Sequence, residues 1–329
     1  MKIVMGPTFF DTEKDPAFYD DLRATFPHVT FVPAATVEEQ KELIRDADAF
    51  YGWITSDVFL AAEKLRWLHV PGAGIDHIDV PELMDSDVIL TNVRGPHAPP
   101  MADHAIGMMV SLTHYLGQQR DDQRTHIWDP GRYTGRIVEL SGSTIGILAL
   151  GDIGLAIAQR TQGFDMTVYG AVRDPNRTLK RHGGSTPPHV DQLWPISKLD
   201  EMLKLCDWFI VTAPLTNDTR GMIDKRRLKL MKKGSYIIVI SRGGIVDEDA
   251  LIELLRSGHF AGAALDSVAE EPLPAHSPIW DVDNLILSPH SSALTSDMFD
   301  KRRVIYKENL RRFLADEPLF DVCDKNEGF

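Results

Sequence analysis

Residues 144–160, TIGILALGDIGLAIAQR, constrain this chain more than any other stretch: a short apolar run, a glycine turn, then apolar residues recurring at helical spacing. An apolar strand feeding a helix through so short a turn belongs to a parallel sheet, whose faces must be covered by helices. At the turn, Gly151 permits close backbone approach to an anion at the helix N-terminus, where free N–H groups and the helix dipole favour negative charge. Gly154 allows the helix to pack tightly on the strand. The dinucleotide-binding turn reads G-x-G-x-x-G, and Ala149 holds the place of its first glycine, so the tight turn must tolerate a methyl group.

The rest of the chain repeats the alternation, so the expected fold class is α/β, with two parallel sheets. In the first hundred residues strands are expected at 3–5, 29–32, 49–53, 68–70 and 88–91. Thr36 followed by Glu39 reads as a capping box opening a helix to about residue 45. A second series of strands is expected at 144–150, 166–171, 208–212, 236–240, 262–265 and 285–288, and a final helix at 295–314. Between the two series lies GPHAPP, read as a loop and a boundary near Pro99 and Pro100, with Met101, Ala105, Met108, Met109 and Leu112 opening a helix directly after it.

At 329 residues and 43% apolar, the chain can bury two cores. A net charge of −13 opposes broad attraction to nucleic acid or anionic lipid, so an anionic ligand must meet a local Arg or a helix N-terminus. Only Cys206 and Cys323 are present, which argues against a disulfide framework or thiolate metal site. No stretch approaches the length of a membrane span, and the first residues are too weakly apolar for a secretory leader, so a cytoplasmic location is expected.

A nucleotide without a 2′-phosphate is usually held by an acidic residue at the end of the second strand. Here Val172 takes that place and Arg173 follows it, removing repulsion toward a 2′-phosphate and adding a donor for one. NADP(H) is therefore the expected cofactor, with NAD possible if Asp174 takes the ribose. Three later strands end in polar residues: one runs into Ser241 and Arg242, the next into Asp266 with Glu271 following, the third into Pro289 and His290. Ligands in open α/β sheets lie beyond such carboxyl ends. A histidine can give or take a proton, a neighbouring carboxylate keeps it protonated and oriented, and an arginine grips a carboxylate and polarises a carbonyl. Together they suit reduction of a 2-oxo acid. Glu270 rivals Glu271 on spacing alone. His97, Asp103 and His104 invite a metal reading, but a loop and helix start is expected there and no metal.

With these residues in view, the sequence resembles the D-isomer-specific 2-hydroxyacid dehydrogenase family over nearly its whole length. The likeness is carried by GAGIDHID at 72–79, ILALGDIG at 147–154, APLTNDTRGMID at 213–224, SRGGIVDEDAL at 241–251, ALDSVAEEPLP at 264–274 and LSPHSS at 287–292. It implies two Rossmann-like domains, a nucleotide-binding one (100–293) inserted into a flavodoxin-like substrate domain (1–99, completed by 294–329). It implies catalytic roles for Arg242, Glu271 and His290, and a substrate carboxylate held by the backbone at Gly72, Ala73 and Gly74 together with Arg242 and His290. Cofactor contacts implied are Leu150, Gly151, Asp152, Ile153, Val172, Arg173, Asp174, Ala213, Pro214, Thr219, Ile240, Ser241, Asp266, His290 and Ser292, with Asp266 at the nicotinamide carboxamide. Family members are usually dimers joined through the nucleotide domain, so a homodimer is expected. The implied activity is NADPH-dependent reduction of a small 2-oxo acid, such as glyoxylate or hydroxypyruvate, to the D-2-hydroxy acid. A nucleotide-sensing scaffold of the corepressor kind is the alternative. Formate oxidation is disfavoured because formate dehydrogenases have Gln where Glu271 stands.

Overall fold

The structure, a computed structural model, describes residues 1–7, 16–75, 78 and 80–325. The chain divides into two compact units, 1–96 with 296–329, and 97–295. The first carries strands β1 (Lys2–Met5), β2 (Thr30–Pro33), β3 (Ala49–Tyr51), β4 (Trp67–His69) and β5 (Ile89–Thr91) in one parallel sheet of order β2-β1-β3-β4-β5. That order is the flavodoxin-like one. Helices α1 (Pro16–Thr25), α2 (Val37–Leu43), α3 (Ser56–Leu60) and α4 (Pro81–Met84) connect the strands. The capping box is present: Glu39 N donates to Thr36 Oγ1 at 3.2 Å and Thr36 N donates to Glu39 Oε2 at 3.0 Å.

The second unit opens with α5 (Ala98–Thr113), so Pro99 and Pro100 lie in the helix's first turn rather than in a loop before it. The first turn has no intrahelical use for their missing N–H groups, and proline's fixed φ suits it. After α6 (Leu116–Arg124) come β6 (Thr144–Leu148), α7 (Asp152–Thr161), β7 (Thr167–Val172), α8 (Pro175–Arg181), β8 (Gln192–Pro195), α9 (Leu199–Leu203), β9 (Trp208–Val211), α10 (Lys225–Leu228), β10 (Ser235–Val239), α11 (Glu248–Arg256), β11 (Phe260–Leu265) and β12 (Leu285–Leu287). Their sheet runs β12-β11-β10-β9-β6-β7-β8, every pairing parallel. This is the Rossmann order with a seventh strand at one edge. The inner strands β9 and β10 are buried at every residue, as a sheet covered on both faces requires. β8 is not among the expected strands; it is a half-buried edge strand closed by Pro195.

Helix α12 (Ser296–Leu314) returns the chain to the first unit, where the tail bridges Val322 to Thr91. Cys206 and Cys323 are both buried and unpaired. Among the described residues no helix is long and apolar enough to cross a membrane.

Candidate active site

The turn after β6 has the open side that an anion needs. Gly151 N-caps α7, and a Cβ built there would meet nothing within 4 Å. A Cβ at Gly154 would lie 2.4 Å from the Ala149 carbonyl oxygen, so the helix can cross the strand this closely only at a glycine. Ala149 itself sits at φ 75°, the left-handed region that its missing glycine would occupy freely. Thr212 Oγ1 lies 2.9 and 2.7 Å from the carbonyls of Leu148 and Ala149 and braces the turn. Leu150 covers Gly170 of β7, where a Cβ would come within 2.2 Å of its Cδ1.

At the next strand end Val172 is buried and Arg173 is exposed. Asp174 Oδ1 accepts from the backbone N–H of Asn176 (2.8 Å) and Arg177 (3.2 Å), so the carboxylate expected to compete for a ribose caps α8. Arg177, which the sequence reading did not single out, follows on that helix. Beyond β9, Ala213 is buried, and Thr219 Oγ1 donates to the Pro214 carbonyl (2.6 Å) while accepting from Thr216 N (2.8 Å), closing the loop on itself. Ile240 and Ser241 are buried after β10, and the Ser241 hydroxyl has no hydrogen-bond partner among the described residues. A clear helix N-terminus after β6 and an orphaned buried hydroxyl after β10, two strands away in the same sheet, fit a nucleotide cofactor.

Because β10, β11 and β12 are adjacent, their carboxyl ends bring the three expected polar residues to one edge. Arg242 is half-buried and donates from Nη1 to the Ser241 carbonyl at 2.8 Å. His290 Nδ1 lies 2.8 Å from Glu271 Oε2, while Glu271 Oε1 accepts from Val268 N at 3.0 Å. The carboxylate therefore holds one ring nitrogen and leaves Nε2 as the outward one.

What aims His290 is Asp266. His290 stands at φ 51°, its N–H donating to the carbonyls of Asp266 (2.8 Å) and Ser288 (3.0 Å). The Asp266 carboxylate accepts from Ser288 Oγ (2.5 Å), Ser291 N (3.0 Å) and Ser292 N (3.2 Å), and none of its side chain is exposed. Buried carboxylates need several donors, and these three tie down a turn that would otherwise relax. The carboxylate for which the family resemblance implies a nicotinamide contact is thus also the one that holds the histidine turn. His104 Nε2 lies 3.0 Å from Ser288 Oγ, extending the network, and Asp103 pairs with Arg160 at 2.5 Å, so these two do not converge on a metal.

Two further residues hold the loop that carries Glu271. A Cβ on Gly243 would fall 1.9 Å from the Val268 backbone carbon, so this loop passes directly over the residue after Arg242. Glu248 Oε1 accepts from Ala269 N at 2.7 Å; burial pushes its carboxyl above the usual range and that hydrogen bond opposes the shift. Neither was legible from spacing, since the crowding comes from residues about two dozen positions downstream.

In the first unit, Gly72 and Ala73 follow β4 in a loop anchored by Val93 N to Gly72 O (2.9 Å) and Asn92 Nδ2 to Ala73 O (2.5 Å). The Trp53 ring would meet a Cβ on Gly72 at 3.0 Å. Asp76, His77 and Asp79 of the same motif lie outside the described residues. Tyr51 belongs to a buried aromatic core with His69 and Tyr306, and Trp128 of the second unit is 97% exposed.

The order of the seven-stranded sheet, the glycine turn and the Arg, Glu and His at adjacent strand ends define a nucleotide-binding oxidoreductase domain. Residues 106–292 match the NAD binding domain of the D-isomer specific 2-hydroxyacid dehydrogenases. The chain is 32% identical over 289 residues to D-3-phosphoglycerate dehydrogenase of Methanocaldococcus jannaschii, covering 86% of this chain and 52% of that protein. It is 33% identical over 288 residues to glyoxylate reductase of Thermofilum pendens, covering 85% of this chain and 82% of that one. The chain thus spans about half the length of the phosphoglycerate dehydrogenase it matches and most of the glyoxylate reductase. Among solved structures, an NADPH-dependent glyoxylate/hydroxypyruvate reductase from Sinorhizobium meliloti, in complex with NADP and sulfate, superposes with a TM-score of 0.84 at 25% identity, all of both chains covered. The chain belongs to the D-isomer specific 2-hydroxyacid dehydrogenase family.

Proposed function

We propose that the chain reduces a small 2-oxo acid, of the glyoxylate or hydroxypyruvate kind, to the D-2-hydroxy acid with NADPH. The observation that carries this reading is the 2.8 Å contact between His290 Nδ1 and Glu271 Oε2, at the sheet edge that also bears Arg242. His290 Nε2 donates a proton to the carbonyl oxygen, Glu271 orients the ring through Nδ1, and Arg242 stabilises the charge that develops on that oxygen. The backbone at Gly72, Ala73 and Gly74 takes the substrate carboxylate. The cofactor, when bound, supplies the hydride. Residues that would hold it are Leu150, Gly151, Asp152 and Ile153 at the pyrophosphate, and Ala213, Pro214, Thr219, Ile240, Ser241 and Ser292 along the groove. Arg173 takes the 2′-phosphate, a reading supported by the capping role of Asp174.

A homodimer through the second unit is part of the same reading. Leu116, Ile127, Trp128, Ile137 and Val138 are exposed apolar residues within one short stretch of that unit, and such clusters mark interaction surfaces. Light scattering on the parent and on Trp128→Glu tests it; a monomeric parent rules it out. The enzymatic reading is tested by NADPH oxidation with glyoxylate, hydroxypyruvate, pyruvate and phenylpyruvate. Turnover of at least one, with KM lower for NADPH than for NADH and the difference shrinking in Arg173→Ala, is expected. Tight NADPH binding with no turnover of any would point to a nucleotide-sensing scaffold, and equal or better use of NADH would refute the cofactor preference.

A further inference from the structure

Helix α5 turns an apolar stripe, Met101, Ala105, Met108 and Met109, into a core shared with the second sheet. His104 lies three positions after Met101 and four before Met108, so it stands on that stripe and not on the face opposite. Its ring is half-buried, and α5 packs on β11 and β12. Its neighbour Asp103 points elsewhere and pairs with Arg160. A polar ring on an apolar stripe costs free energy unless its partners compensate, so the partners of His104 show what keeps a histidine there.

Hydrogen-bond direction settles what the ring does. The Asp266 carboxylate, with no side-chain exposure, meets Ser288 Oγ and the backbone N–H groups of Ser291 and Ser292, so it is an acceptor throughout. The single hydroxyl proton of Ser288 is therefore committed to Asp266 Oδ1 at 2.5 Å. The same hydroxyl lies 3.0 Å from His104 Nε2, and with its own proton spent it can only accept there. The chain of bonds thus runs one way, from His104 Nε2–H to the Ser288 hydroxyl to Asp266, and it fixes the tautomer of His104. Ser288 is also tied to the catalytic turn by its backbone, since its carbonyl accepts from His290 N at 3.0 Å. A Ser288 hydroxyl free to rotate would leave Asp266 one donor short and weaken the hold on the left-handed turn at His290.

We propose that His104 is a positioning residue for the reaction: its Nε2–H fixes the Ser288 hydroxyl toward Asp266 and, through Asp266, the turn that presents His290. Every link of this chain lies in the second unit. The proposal rests on the reductase reading above and adds to it a second histidine that acts through the first.

The test sets His104→Gln against His104→Asn. Glutamine can place an amide N–H where Nε2 lies, whereas asparagine ends near the position of Nδ1, short of Ser288. With NADPH and whichever of glyoxylate, hydroxypyruvate, pyruvate or phenylpyruvate turns over, His104→Asn should lower kcat about 10-fold and leave the KM of the acid within about 2-fold. His104→Gln should recover most of that loss. Ser288→Ala should cost at least as much as His104→Asn, and the double variant no more than Ser288→Ala alone, because the histidine acts through that hydroxyl. Equal kcat in the Gln and Asn variants, or losses that multiply in the double variant, would give His104 a purely structural role and overturn the proposal. A second readout needs no turnover. The imidazole nitrogen NMR resonances of His290, identified by their loss in His290→Gln, should move in His104→Asn and return toward the parent in His104→Gln. Should no substrate turn over, the reductase reading fails and the spectra decide by themselves: resonances of His290 that stay in place in His104→Asn overturn the positioning role, and resonances that move and return support it.

Discussion

His69 and His290 each stand at the carboxyl end of a parallel strand, one in each unit, and their surroundings make them different chemical objects. His69, the last residue of β4, is fully buried, its Nδ1 2.8 Å from Thr91 Oγ1 and its ring stacked on Tyr51 at 5.6 Å. Burial, with the nearby Arg302 charge, pushes its pKa down to about 3, so it is neutral at any physiological pH. His290 follows β12 in a strained turn, half-exposed, with a carboxylate on one nitrogen. A strand-end position alone does not make a histidine reactive. A carboxylate partner and an outward nitrogen do.

The sharpest test of that contrast is substitution of each histidine. His290→Gln should lower kcat by about 10²- to 10⁴-fold with NADPH binding little changed, the usual contribution of a positioned general acid. His69→Phe should leave kcat within about 2-fold, since a fully buried imidazole held neutral has no proton to give. Steady-state kinetics with fluorescence titration of the cofactor measures both, and a larger effect at His69 would reverse the assignment.

The next test concerns the support beneath Glu271. Gly243→Ala places a methyl group where the Val268 backbone already lies, so the loop bearing Glu271 must move away from His290. A drop in kcat of about 10-fold or more is expected, because small misplacements of catalytic groups are costly. The melting temperature should fall with it, as overpacking against backbone commonly costs about 1–3 kcal/mol. Parent-like kinetics in a folded Gly243→Ala protein would show that the loop position does not matter to the pair.

A smaller effect is expected from acid on the buried histidine. An unfolded His69 titrates near 6.5 and the folded one near 3, so between those values the unfolded chain binds a proton that the native one does not. Stability from this residue is therefore present above pH 6.5 and lost as pH falls, at up to about 1.4 kcal/mol per pH unit. From pH 7 to pH 5 that is about 2 kcal/mol, and His69→Phe should escape it. Urea denaturation at the two pH values reads the difference; identical pH sensitivity in parent and variant would mean His69 is not held neutral.

The contrast also separates what sequence reveals from what it hides. The parallel architecture was legible because buried strands read as short apolar runs, and Arg242 and His290 were legible because each follows such a run closely; Glu271, six residues past Leu265, had Glu270 as a rival on spacing and was singled out by the family likeness. The half-buried edge strand β8 and the start of α5 within its own prolines were not, for they lack that apolar signature. Gly243, Glu248 and the grip of Asp266 on the histidine turn depend on which backbone crosses which, and two residues twenty-five positions apart leave no periodic trace. His69 shows the opposite failing: an end-of-strand histidine is easy to see, and only its packing shows that it is silent.

The smallest expected effect sharpens the role of strain in the second unit, where Ala149 and His290 both occupy left-handed backbone. At His290 the hydrogen bonds of Asp266 hold the turn, and the strain orients a reactive ring. At Ala149 the turn is braced by Thr212, and the methyl group adds cost where a glycine would add none. Relief of left-handed strain is worth about 1–2 kcal/mol, and the extra freedom glycine gives the unfolded chain takes back about 0.5–1. Ala149→Gly should thus be between neutral and about 1.5 kcal/mol more stable than the parent. Ala149→Val should be at least about 1 kcal/mol less stable, because a β-branched residue tolerates that region worst. Chemical denaturation ranks the three, and a parent more stable than Ala149→Gly by over about 1 kcal/mol would mean the methyl group makes a favourable contact that outweighs the strain.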